Sequence, residues 1–163
     1  MLRLVLAVAL ASSLVAVATP ALEDARTTRT ERLTQRELDR VATAAHSLVR
    51  EEAPGARRTL KVSFPAESPT EAPLAFVALG GLPDEEASAV DTAGGDLLAY
   101  EVAGGRQRVV RVESDLRVRR NDGDSIPSDS RALVLRGGKT YRLTLELVRL
   151  DGRPTVLVMI RDA

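Results

Sequence analysis

The residues best suited to chemistry fall in one short stretch, Asn121-Asp122-Gly123-Asp124-Ser125, with Asp129 a few positions on. Calcium is held by several oxygen ligands, so closely spaced carboxylates at Asp122, Asp124 and Asp129 make a candidate calcium loop. The stretch lacks the bidentate Glu and the loop spacing of an EF-hand, and Asn-Asp-Gly-Asp is equally what a tight turn uses, because those side chains bond their own backbone. The adjacent Glu85 and Glu86 could be imagined as an acid and base pair, but in a solvated acidic loop nothing shifts their acidity or excludes water. His46 is the only histidine and there is no cysteine. A Ser-His-Asp or Cys-His set would have to recruit that one residue, and zinc lacks ligands. The pairs Gly80-Gly81, Gly94-Gly95, Gly104-Gly105 and Gly137-Gly138 do not have the spacing ahead of a Lys that a phosphate cradle needs. These residues imply a chain that is not an enzyme, with no catalytic residue, no cofactor and no small-molecule substrate.

Charge and ring content narrow the partners. With 23 basic and 23 acidic residues the net charge is zero, and aromatics make up 2% of the chain. Zero net charge argues against a nucleic-acid partner, and the lack of rings removes base-stacking platforms. The charge is uneven along the chain. Gly80 to Glu101 holds six acids and no base, whereas Ala103 to Arg120 holds six arginines against Glu113 and Asp115. Facing strands that neutralise each other explain this pattern, with Glu101 opposite Arg108. The other reading is a binding patch, in which Arg117, Arg119 and Arg120 steer toward anionic lipid headgroups.

The elements that would position these groups start with an uncharged run from Leu4 to Leu22, followed at once by Glu23-Asp24-Ala25-Arg26. At ~1.5 Å rise per residue the run reaches about 28 Å, close to the ~30 Å hydrocarbon core of a bilayer. Two readings stand side by side. In one, residues 4–22 are kept as a membrane anchor; in the other, residues 1–18 are a secretory signal cleaved after Ala18, where Ala16-Val17-Ala18 fits the small-residue pattern. Both place the rest of the chain outside the cytoplasm, at the cell membrane or secreted. Helical periodicity then runs to about residue 52, with Leu38, Val41, Ala42, Ala45, Leu48 and Val49 on one face and Ala53-Pro54-Gly55 as its stop. Beyond it the period changes to two. Strands are expected at Thr59–Phe64, Leu74–Leu79, Leu97–Val102, Arg106–Val112, Ala132–Arg136, Lys139–Leu150 and Arg153–Arg161, with Leu116–Arg119 prolonging the fourth. Turn geometry at Gly104-Gly105 pairs Leu97 with Val112, and at Asp151-Gly152 it pairs Leu145 with Val158. The expected organisation is a signal or anchor segment at 1–22, a helical stalk and packing helix at 23–52, and an antiparallel β domain at 56–163.

A long N-terminal helix with an apolar first half, packed on an antiparallel β-sheet meander, is an α+β plan that resembles type IV pilins and pseudopilins. More narrowly, Arg3 to Leu10 (R-L-V-L-A-V-A-L), Pro20 to Arg26 (P-A-L-E-D-A-R) and Pro54 to Arg58 (P-G-A-R-R) resemble an uncharacterised haloarchaeal family found with archaeal pilus-like and secretion genes. The resemblance implies a membrane-anchored, non-enzymatic, pilin-like minor component of a pilus- or secretion-like assembly. Its partners would be the membrane, through residues 4–22, and proteins of that assembly. The alternative is a secreted β-rich binding domain, with the acidic loop 82–96 or the Asp122 loop holding an ion or partner.

Overall fold

The computed structural model describes residues 2–83, 97–119 and 132–161, with the side chains of 2–4, 11, 14–18 and 161 left out of that description. Among the described residues the chain opens with one helix, α1 (Leu2–Glu51), and continues as eight strands. Along α1 the residues Thr30, Thr34, Leu38, Val41, Ala45 and Leu48 recur at intervals of three and four, and each is at most 1% exposed. The expected packing face from Leu38 onward is therefore present, and it extends two turns further back through two threonines. The helix closes with Glu52 N–H donating to Leu48 O at 3.3 Å, after which Pro54 cannot donate and Gly55 turns the chain at φ +98°.

The strands form two four-stranded sheets. The first has the order β1 (Arg57–Ser63), β7 (Thr140–Leu150), β8 (Arg153–Arg161), β5 (Asp115–Val118), and the second the order β4 (Arg108–Arg111), β3 (Leu97–Val102), β2 (Leu74–Leu79), β6 (Leu133–Leu135). The β7–β8 hairpin has the register its Asp-Gly turn predicts: Leu143, Leu145 and Leu147 stand opposite Ile160, Val158 and Val156. Asp151 and Gly152 both have positive φ, which is the backbone a two-residue turn of that type needs. One core takes in the inner faces of both sheets and the helix: Leu38, Val41 and Leu48 share it with Leu143, Leu145, Val156 and Val158 from the first sheet and Val77, Leu79, Leu98 and Tyr100 from the second. The helix thus covers the aliphatic face of the hairpin, with Leu143, Leu145 and Leu147, and not the face that carries Arg142, Thr144 and Glu146.

This architecture overturns the expected α+β plan of a long helix with an apolar first half on a single antiparallel meander, and with it the pilin-like description of the fold. Strand β6 leaves the meander and pairs with β2, aligning Val77 with Leu135 and Leu79 with Leu133. The reason lies in the turn after it: Gly138 N–H donates to Phe64 O and Pro65 O at 3.2 and 2.9 Å, docking the turn on the end of β1 instead of closing a hairpin with β7. Strand β5, expected to prolong β4, crosses to the first sheet and runs parallel to β8, with Leu116 beside Val156. Alternation marks a strand but not its partner or direction, which is why both changes were invisible in the period-two pattern. Among the described residues no helix is long and apolar enough to cross a membrane.

The β3–β4 register also differs from expectation by one residue. Leu97 faces Arg111 and Tyr100 faces Arg108, because the connection is longer than the two glycines: Gly105 N–H bonds to Val102 O and β4 starts only at Arg108. A one-residue slip changes the face of every side chain. Arg108 therefore leaves Glu101 and meets the helix, where its Nη2 lies 3.2 Å from Glu31 Oε2. The pair is half exposed, so Arg108→Glu is expected to cost about 1 kcal/mol or less, and adding Glu31→Arg should return most of that loss in a denaturant titration. No recovery in the double variant would show that the pair does not couple helix to sheet.

Candidate functional site

Two surfaces carry the arrangements most able to bind. The first is the projecting half of α1. Val5, Leu6, Val8, Leu10 and Leu22 are each about three-fifths exposed, and residues 19–25 are exposed throughout. Side chains this apolar, placed on several sides of one helix and left in contact with water, are an unpartnered surface. Arg26 is clamped to the β domain: its guanidinium donates to Ser68 O at 2.8 Å and Glu71 O at 3.3 Å. Thr30 Oγ1 donates to Ala72 O at 3.0 Å, and Arg29 Nε lies 3.3 Å from Glu71 Oε1. The loop is preshaped for this clamp, since Ser68 and Glu71 bond each other's backbone in both directions.

The second surface is the outer face of the first sheet. Strand alternation and the pairing register place Arg57, Lys61, Arg117, Arg119 and Arg142 there, with two acids among the described residues of the sheet, Asp115 and Glu146. Glu146 is 8% exposed, and its Oε1 accepts from Arg57 Nη2 at 2.8 Å while Oε2 lies 3.9 Å from Arg119 Nη1. Asp115 Oδ2 accepts from Thr155 Oγ1 at 2.9 Å and from Arg117 Nε at 3.2 Å. Glu146 Oε2 and Asp115 Oδ1 are buried and have no hydrogen-bond partner among the described residues. Burying a carboxylate is costly unless cations flank it, and here three arginines do so. The network holds charge in fixed places.

The expected sites fare differently. Asp122, Asp124 and Asp129 lie outside the described residues, as do Glu85, Glu86, Gly94-Gly95, Arg120 and nearly all of the acidic loop 82–96. Among the described residues no group of three or more His, Asp or Glu is placed to hold a metal ion. His46 sits at the edge of the packing face, half exposed, with Nδ1 3.3 Å from Glu113 Oε2. Arg117 Nε lies 3.2 Å from Asp115 Oδ2 and Arg119 Nη1 3.9 Å from Glu146 Oε2, within their own sheet; the acids from Asp84 to Asp96 expected to face them lie outside the described residues. Gly137 is needed for close approach, because a Cβ there would stand 2.9 Å from both Leu74 Cβ and Pro65 O. An open groove of about 540 Å³ beside it is walled by Pro65, Pro73, Leu74, Val134 and Arg136. Sequence reasoning missed the Arg26, Thr30, Thr34 line, although its four-residue spacing into Leu38 was a legible signal.

Among the described residues Tyr100 is the titratable group whose environment is most altered. Burial pushes its phenol above the ordinary value of 10.0, Glu31 and Asp39 push it the same way, and Arg108 opposes them. A raised folded pKa means the folded state keeps its proton where the unfolded chain has lost it, so this contribution is whole below about pH 10 and drains away as pH rises beyond it. In an ultraviolet titration of the two tyrosines, one phenol is expected to ionise later than free tyrosine, and Tyr100→Phe should remove that late phase. If the late phase survives in Tyr100→Phe, the buried phenol is not its source.

No curated protein and no solved structure matches the chain. The family model described as a domain of unknown function (DUF7311) matches residues 1–161, nearly the whole length, so the chain belongs to that family.

Proposed function

We propose that this chain is a non-enzymatic extracytoplasmic protein held at the membrane by its apolar segment, and that it serves as a minor subunit of a pilus- or secretion-like assembly. One observation carries the reading: Val5, Leu6, Val8, Leu10 and Leu22 are exposed on a helix that continues without a linker into the packed domain. Leaving that much hydrocarbon in water is unfavourable by about 25 cal/mol per Å², and a lipid phase removes the cost. The uncharged run 4–22 and the resemblance to a haloarchaeal family found with pilus-like and secretion genes support the same reading. A pilin fold is not part of it. The flanking cationic sheet face, with its two fixed carboxylates, suits a subunit that recognises a charged neighbour.

N-terminal sequencing of the mature protein, paired with membrane flotation, tests it. A start at Met1 or Leu4 in the membrane fraction is the expected result; a start at Thr19 with the protein in the soluble fraction would replace the anchor with cleavage after Ala18. The cationic face then favours the second reading, a secreted β-rich binding domain.

A further inference from the structure

We infer that the β domain is seated directly on the lipid headgroups, with the loop Ala66 to Glu71 as its contact surface. The inference rests on residues 4–22 being the anchor. Leu22 is the last large exposed apolar side chain of the helix, and Arg26, four residues on, is already clamped to Ser68 O and Glu71 O at 2.8 and 3.3 Å. At ~1.5 Å per residue that separation is about 6 Å along the axis. A bilayer of ~40–45 Å overall around a ~30 Å hydrocarbon core has a headgroup layer of roughly 5–7 Å on each side. The clamp therefore holds the loop inside that layer, and no slack exists to lift it out, because Arg29 on Glu71 and Thr30 on Ala72 fasten the next turn as well. The loop's composition suits the place. Ala66, Glu67, Ser68, Pro69, Thr70 and Glu71 include no bulky apolar group, and Arg29 neutralises one of the two carboxylates. Arg26 adds a part-buried positive charge at that depth, held on the carbonyls of Ser68 and Glu71. The turn Ala103 to Gly105 is tied to the same end through Ala103 N–H on Pro73 O at 2.8 Å.

The chain has no cysteine, so a single introduced thiol reports one position. Full-length protein carrying a fluorophore on Thr70→Cys is reconstituted in phosphatidylcholine vesicles doped with a lipid bearing a headgroup nitroxide, beside a second sample labelled on Glu52→Cys. Glu52 lies thirty residues past Leu22, about 45 Å along the axis. The expected result is a several-fold loss of emission at position 70 and none at 52. If the protein floats with the vesicles but position 70 stays as bright as position 52, the seated domain is wrong and the anchor stands. If the protein does not float, the anchor fails and this inference fails with it.

Discussion

Replacing Leu145 by Ala is expected to lower unfolding free energy by about 2–5 kcal/mol. Leu145 has no exposed surface and sits in β7, the strand between β1 and β8, where it lies opposite Arg58 on one side and Val158 on the other. Removing its branched end leaves a cavity that helix, sheet and facing sheet share, and none of the three can close it without disturbing the others. The control is Arg149, exposed on the same strand, where Arg149→Ala should change stability by no more than about 0.5 kcal/mol. Chemical denaturation measures both. Equal losses would mean that Leu145 is not buried in the core described. Thr144 is a poor control despite lying on the opposite face, because it is 8% exposed and its hydroxyl reaches Thr59 Oγ1 at 3.4 Å.

Gly80→Ala is the second large effect. Gly80 ends β2 at φ +76°, and a Cβ built on it falls 2.9 Å from the backbone oxygen of Leu116 in β5. Two penalties combine: the left-handed backbone costs an L side chain ~1–2 kcal/mol, and the contact pushes the end of the second sheet against a strand of the first at ~1–3 kcal/mol more. Neither escape is open, since Gly80 and Gly81 both donate to Leu97 O at 2.9 and 3.1 Å. An overall loss of about 2–5 kcal/mol is expected. Gly104→Ala is the comparison, because Gly104 has a similar φ of +75° but nothing within 4 Å of its Cβ position. It should carry only the backbone part. If the two variants lose the same amount, the approach of β2 to β5 does not constrain the fold, and the contact between sheets at this point is looser than the distance implies.

The clamp at Arg26 and the carboxylate at Glu146 show where reading residues in order runs out. Both are local anomalies in the chain: a threonine line at helical spacing in an otherwise charged segment, and one acid in the aliphatic strand Leu143 to Val148. Their partners are far away, Ser68 and Glu71 for Arg26 and Arg57 and Arg119 for Glu146. Nothing within a few residues of either identifies those partners. The expected Glu101 and Arg108 pair was the opposite case, in which a local turn argument named a partner and the actual connection, longer than two residues, moved it to Glu31.

By itself the sequence determined whatever depends on neighbours within about one turn or one pleat. It settled the uncharged run at 4–22, the buried stripe from Leu38 to Leu48, the strand expected at Thr59–Phe64 and found at Arg57–Ser63, and the Asp151-Gly152 hairpin with its full register. Those are short-range consequences of helical period, strand alternation and turn backbone. Only the tertiary structure decided that β6 joins β2, that β5 crosses to run parallel with β8, and that Arg108 meets the helix. Each of these is a choice among strand edges and faces that look alike to a local pattern, because alternation has the same period whichever strand lies alongside. The choice falls to docking at a distance: the turn at Gly138 locked onto Phe64 and Pro65, and Gly80 pressed against Leu116.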